Sequence, residues 1–113
     1  MAEAGAEKWR LEFLNQTVLD EFEAFPLDIQ AKFYRIWELI EEFGLPAVRE
    51  PYITRIEGKI YEFRMKGRDG IGRSLFMTLA PKRVIVLRSF IKKANKTPKG
   101  EIKLARQRAK LAQ

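Results

Sequence analysis

The succession of periodicities along the chain predicts an α+β domain: a small twisted antiparallel sheet with two helices before it and one after it. Three observations carry this expectation. Apolar residues recur at helical spacing between Val18 and Phe43. From Tyr52 to Phe90 they recur at every second position, the period of strands. After Thr97 the helical signals return. A chain of 113 residues suits one hydrophobic core, so residues 1–113 are expected to form a single domain.

Residues 1–7 are small and acidic and are expected to fray. Trp9, Leu11 and Phe13 alternate with Lys8, Arg10 and Glu12, as in a half-buried strand. Asn15 then opens a short helix carrying Val18, Leu19, Phe22 and Phe25, which Pro26 stops. A second helix follows, with Asp28 as its cap and Ile29, Phe33, Ile36, Ile40 and Phe43 on a single core-facing stripe; Trp37 falls to the side of that stripe. Gly44 and Pro46 end it.

Strands are expected near 53–57, 59–66, 73–80 and 84–91, with turns at Glu57-Gly58, Gly67 to Gly72 and Ala80 to Arg83. An antiparallel meander is the simplest way to join them. Thr97 and Pro98 read as the cap and first residue of a final helix, with Ile102, Ala105 and Ala109 facing inward.

Composition narrows the chemistry. The chain has neither cysteine nor histidine, which argues against disulfides, thiol catalysis and a zinc site, and narrows catalysis to carboxylates, lysine, arginine, tyrosine or substrate positioning. No long apolar run and no signal-peptide pattern is present, so a cytoplasmic location away from membranes is expected. No metal, small-molecule or other cofactor is called for. The net charge of +7 is polarised: residues 1–50 hold 5 basic and 11 acidic side chains, whereas residues 82–113 hold 11 and 1. Such a chain should turn one cationic face toward a polyanion, with nucleic acid the leading candidate.

The stretch from Val84 to Pro98, VIVLRSFIKKANKTP, is followed by GEIKLARQRAK and preceded by GKIYEFRMK at 58–66 and IGRSLFMTL at 71–79. In order and spacing these segments resemble the phage-derived, HigB-like branch of the RelE toxin superfamily, over roughly residues 8–110. The resemblance implies a RelE-like twisted sheet flanked by helices, and ribosome-dependent endonucleolytic cleavage of messenger RNA. It also implies a partner antitoxin, a helix-turn-helix protein of the HigA kind, for which Trp37 offers one conceivable contact. This chain departs from some relatives in lacking a catalytic histidine and a C-terminal tyrosine, since no aromatic residue follows Thr97.

Period-two alternation puts Glu62, Arg64 and Lys66 on one strand face, opposite Tyr61, Phe63 and Met65. Arg73 and Arg88 lie in the following strands, and Lys92, Lys93 and Lys96 leave the last one. Cleavage without a metal proceeds by attack of a 2′-hydroxyl on the neighbouring phosphorus, which demands alignment, charge stabilisation and proton transfer. Arg64, Arg73, Arg88, Lys92 and Lys93 are the expected charge stabilisers, because arginine and lysine retain their charge beside phosphate. Glu62 or Glu50 is a candidate base, as is one of the lysines, whereas Arg64, at a position where the resemblance implies a lysine base, stays protonated. Lys59, Lys66, Arg68, Lys96 and Lys99 are expected to bind RNA outside the reacting centre.

Each of these residues also has a plainer reading. Glu62 and Arg64 would serve equally as an ion pair, Arg73 as a structural cation, and the lysines as a solvated turn. The function alternative to the nuclease is a non-catalytic RNA- or DNA-binding module using the same basic face, and a weaker third reading is an adaptor for an acidic protein.

Overall fold

Alternation of apolar and polar residues over more than thirty positions leaves the second half of the chain only one way to bury its side chains, as paired strands covered on both faces. The computed structural model describes residues 8–92 and 96–112 and shows this arrangement. Its elements are β1 (Arg10–Phe13), α1 (Gln16–Glu23), α2 (Leu27–Phe43), a short 3-10 turn at Leu45–Ala47, β2 (Ile53–Glu57), β3 (Ile60–Gly67), β4 (Gly70–Leu79), β5 (Arg83–Lys92) and α3 (Lys99–Ala112). The expected fraying of 1–7 lies outside the described residues, as does Lys93.

The sheet order is β1-β5-β4-β3-β2. Strands β2 to β5 form the expected antiparallel meander, but β1 joins β5 in parallel, from Arg10↔Arg83 to Phe13↔Val86. A parallel pair needs a crossover connection, and the helices and meander between the two strands provide it. The expected strand 73–80 begins earlier, at Gly70, so the hairpin between β3 and β4 is tighter than the span from Gly67 to Gly72 suggested.

One core lies between the sheet and the first two helices, built on Phe22, Ile29, Phe33, Ile36, Ile40, Phe63, Met65 and Phe76. The second lies under α3, where Ala105 meets Ile60, Leu75, Met77, Ile85 and Leu87. Close approach of α2 is possible because Gly67 and Gly72 lack side chains: a Cβ on either would stand 2.5 Å from Ile29.

Asn15 caps α1 as expected, accepting a hydrogen bond from the Val18 backbone at 3.0 Å. Other local expectations need correction. Helix α2 begins at Leu27, so Asp28 lies inside its first turn, and its carboxylate accepts the Arg68 backbone N–H at 2.9 Å. Phe43 is 61% exposed, because periodicity fixes the direction of a side chain but not whether anything lies opposite it, while Trp37 is buried. Helix α3 starts at Lys99, the Glu101 and Ile102 N–H groups donate to the Pro98 carbonyl, and the Thr97 hydroxyl is used elsewhere. Among the described residues, no helix is long and apolar enough to cross a membrane.

Candidate active site

Residues directly opposite one another in an antiparallel pair share a sheet face. The register therefore lays three rows across β3, β4 and β5 on the α3 side: Glu62–Leu75–Arg88, Arg64–Arg73–Phe90 and Lys66–Ile71–Lys92. Adjacent strands lie about 4.8 Å apart, so the described strand cations of the sequence-based site occupy one small surface. Arg88 reaches that surface through a bulge: Leu75 opposes Arg88 whereas Phe76 opposes Val86, leaving Leu87 as an extra residue in β5. Without it, strict alternation from Ile85 and Leu87 would turn Arg88 to the opposite face.

Helix α3 covers the first row. Its start stands over the second, and the third opens to solvent. In the second row, Arg73 is 1% exposed, as is Glu62 beside it. Arg73 donates to both carboxylate oxygens of Glu62, at 3.3 and 3.4 Å, and to the Thr97 hydroxyl at 3.0 Å. Thr97 in turn donates to Glu62, and Arg64 approaches the same carboxylate at 3.7 Å. Glu62 thus organises two arginines and a threonine, and Arg64 remains partly open to solvent. A buried ion pair of this kind is costly to assemble and worse to break singly, so it fixes side-chain positions more than it adds stability.

Arg88 is engaged differently. It is bound by Glu101 of α3 at 2.7 Å and Glu21 of α1 at 3.0 Å. The hydrogen bond that Arg88 donates to Glu101, aided by the charge of Glu21, outweighs partial burial and raises the Arg88 pKa above its ordinary value. Arg108 of α3 joins the network, donating to Glu21 at 3.0 Å and to the Leu87 carbonyl at 2.8 Å. The network ties α1, β5 and α3 together at the edge of the sheet.

The outlying cations scatter. Lys66 and Arg68 are exposed at the open end, and Lys96 and Lys99 flank the start of α3. Lys59 sits in the turn between β2 and β3, roughly 24 Å along the strand from Lys66, too far for one small site. Glu50 accepts a hydrogen bond from Thr54 at 3.1 Å in the segment before β2. Beside Arg64 and Lys66 a cavity of about 360 Å³ is also lined by Lys32 and Tyr52, which the sequence-based assignment did not include. Their signal was faint: one cation in an acidic helix and one aromatic between turn residues.

The fold is similar to that of a chain in the crystal structure of the archaeal RelE–RelB complex from Pyrococcus horikoshii OT3. The TM-score is 0.55 at 16% identity, covering 80% of this chain and 100% of that one. Sequence and fold together place the protein in the RelE-like toxin superfamily. Residues 20–110 match the family described as phage derived protein Gp49-like (DUF891), and the chain belongs to that family. No curated protein sequence matches it significantly. The motif resemblance had pointed to this phage-derived branch.

Proposed function

We propose that the protein is the toxin of a type II toxin–antitoxin pair and cuts messenger RNA on the ribosome, in the manner of HigB. The observation that carries this reading is the cationic row Arg64–Arg73, held by the buried Glu62 carboxylate and bordered by Lys66 and Lys92. Rigid cations on strands suit a phosphate whose charge grows during reaction, because their orientation is already fixed when the charge develops.

In the proposed reaction the 2′-oxygen attacks the adjacent phosphorus. A bond to that oxygen forms and the bond to the 5′-oxygen breaks, leaving a 2′,3′-cyclic phosphate and a 5′-hydroxyl. The proton lost from the 2′-hydroxyl is balanced by one delivered to the 5′-oxygen. Arg64, with Lys66 and Lys92, grips the phosphate, and Arg73 adds positive charge from beneath. Arg88 supports the surface by anchoring α3. Glu62 is a positioning residue, its carboxylate already accepting bonds from Arg73 and Thr97. Proton transfer falls to Lys92, at the end of β5, or to Lys93 or Lys96, which follow it in the sequence. With no histidine in the chain, alignment by the ribosome supplies part of the rate. No cofactor is required.

The neighbouring archaeal structure is titled as a complex of RelE with RelB. By extension, the partner here is an antitoxin of the helix-turn-helix, HigA-like kind, and both act in the cytoplasm.

The test is induced expression of wild type and of Arg64→Ala, with primer-extension mapping of cellular mRNA ends. New ends within translated regions, seen with wild type and reduced about a hundredfold in the folded variant, are expected. Stable mRNA and normal growth with well-folded wild type would sink the nuclease reading and favour a non-catalytic RNA- or DNA-binding module.

A further inference from the structure

Strand β2 covers only part of β3: their register ends at Ile53↔Phe63, with one further hydrogen bond from the Arg64 backbone to the Tyr52 carbonyl. Beyond it the edge of β3 from Met65 to Gly67 is not paired by β2, and α2 runs alongside. Between them lies a groove of about 700 Å³. Lys32, Arg35, Lys66 and Arg68 line it, and Tyr52 forms part of its wall. Lys32, Tyr52 and Lys66 also line the cavity beside Arg64, so groove and reacting centre are continuous around the sheet edge.

The four cations differ from the arginines of the candidate site. Arg64, Arg73 and Arg88 each face a carboxylate. None of the side chains of Lys32, Arg35, Lys66 or Arg68 lies in ion-pair contact with a carboxylate among the described residues. Arg35, Lys66 and Arg68 are exposed, Lys32 and Tyr52 half-buried. Three carboxylates share the groove: Asp28, engaged by the Arg68 backbone, and Glu38 and Glu42 farther along α2. Lys32 and Lys66 lie beside Arg64, whereas Glu38 and Glu42, about one and two turns beyond Arg35 in α2, make that far end acidic, so that it would repel a longer strand.

We propose that this groove binds the nucleotides of a single-stranded RNA that flank the scissile phosphate, with Lys32 and Arg35 meeting backbone phosphates and Tyr52 stacking on a base. Aromatic rings beside cations are the elements that hold single strands without reading sequence. The inference rests on the nuclease reading and adds a binding path leading away from the reacting centre. It also assigns a limit to that path, since the acidic end of α2 stops it.

The test uses fluorescence anisotropy with fluorescein-labelled 2′-O-methyl RNAs of mixed sequence, which lack the attacking hydroxyl and stay intact. Wild type should bind a 12-nucleotide probe more tightly than a 4-nucleotide one. Lys32→Ala/Arg35→Ala should lose roughly tenfold more affinity for the long probe than for the short one, with the salt slope for the long probe reduced by about 1.4 for two lost phosphate contacts. Tyr52→Leu should weaken long-probe binding by about tenfold and Tyr52→Phe should restore it. Circular dichroism checks each fold, and the surface double variant keeps the test decisive if Tyr52→Leu unfolds. Unchanged long-probe affinity in the double variant, while wild type still cuts mRNA, overturns the groove assignment alone. Absence of both binding and cutting by wild type overturns it together with the nuclease reading. A 12-base-pair DNA duplex bound as tightly as the RNA overturns the single-strand assignment.

Discussion

Arg73 is the bulkiest fully buried side chain among the described residues, and its partner Glu62 is equally buried. Removing one member of such a pair leaves a charge stranded in the interior, so Arg73→Met should lower stability by about 3–5 kcal/mol in urea denaturation. Glu62→Gln combined with Arg73→Met should recover much of that loss, and a double variant as unstable as the single would contradict the pairing. Arg64 and Arg88 should separate cleanly. Arg64 is partly exposed and 3.7 Å from Glu62, so Arg64→Ala should change stability by no more than about 1 kcal/mol while reducing cleavage. Arg88→Ala strips a shared partner from Glu21 and Glu101, and its larger effect should appear in the unfolding curve. The alternation that exposed Glu62, Arg64 and Lys66 as one strand face was legible in the sequence. That Glu62 would be sealed beneath Thr97 was not, because the two stand 35 positions apart.

At the level of elements, the position of α2 depends on two glycines of the hairpin beneath it. A Cβ at Gly72 would meet the Ile29 Cγ2 at 2.5 Å, and the buried Ile29 has little room to yield. Gly72→Ala should therefore cost about 1–3 kcal/mol by overpacking. Ile29→Ala removes the clashing atoms, so the two losses combined should come to less than their sum; simple additivity in a double-mutant cycle would count against this contact. The other sheet edge is managed by charge. Beyond Val86, where β1 ends its pairing, the Glu21 carboxylate accepts the Ser89 N–H at 3.3 Å and holds Arg88 and Arg108. A strand edge occupied in this way offers less template for another chain. Glu21→Gln should accordingly speed amide hydrogen exchange in α3 more than in α2, and equal protection of the two helices would refute that coupling.

Across the whole molecule, the first strand in the sequence pairs with the last. Glu12 of β1 and Arg83 of β5 meet in two hydrogen bonds of 2.7 and 2.8 Å. The hydrogen bond from Arg83 lowers the Glu12 pKa below its ordinary value, outweighing the effect of burial. A depressed carboxylate contributes stability above its unfolded pKa and loses it as pH falls through the folded value. Wild type should thus exceed Glu12→Gln in stability at neutral pH, with the advantage fading below the ordinary carboxylate range. An advantage constant down to strongly acidic pH would mean that the charge is not responsible. The net charge of +7 acts at the same scale: binding of RNA should weaken steeply with salt, and a flat dependence would argue against phosphate contacts.

The sequence by itself determined the class of fold, the helix and strand order, the antiparallel meander and the basic character of the second half, because periodicity and charge are local properties. It also carried enough ordered motif to point to the phage-derived branch of RelE-like proteins. Tertiary structure decided the rest. The parallel docking of β1, the Leu87 bulge that turns Arg88 to the α3 face, the sealing of Glu62 with Arg73, and the meeting of Lys32 with Tyr52 all join residues distant in sequence. Whether a given arginine faces substrate or a carboxylate depends on what packs opposite it, and only the folded chain brings that neighbour into place.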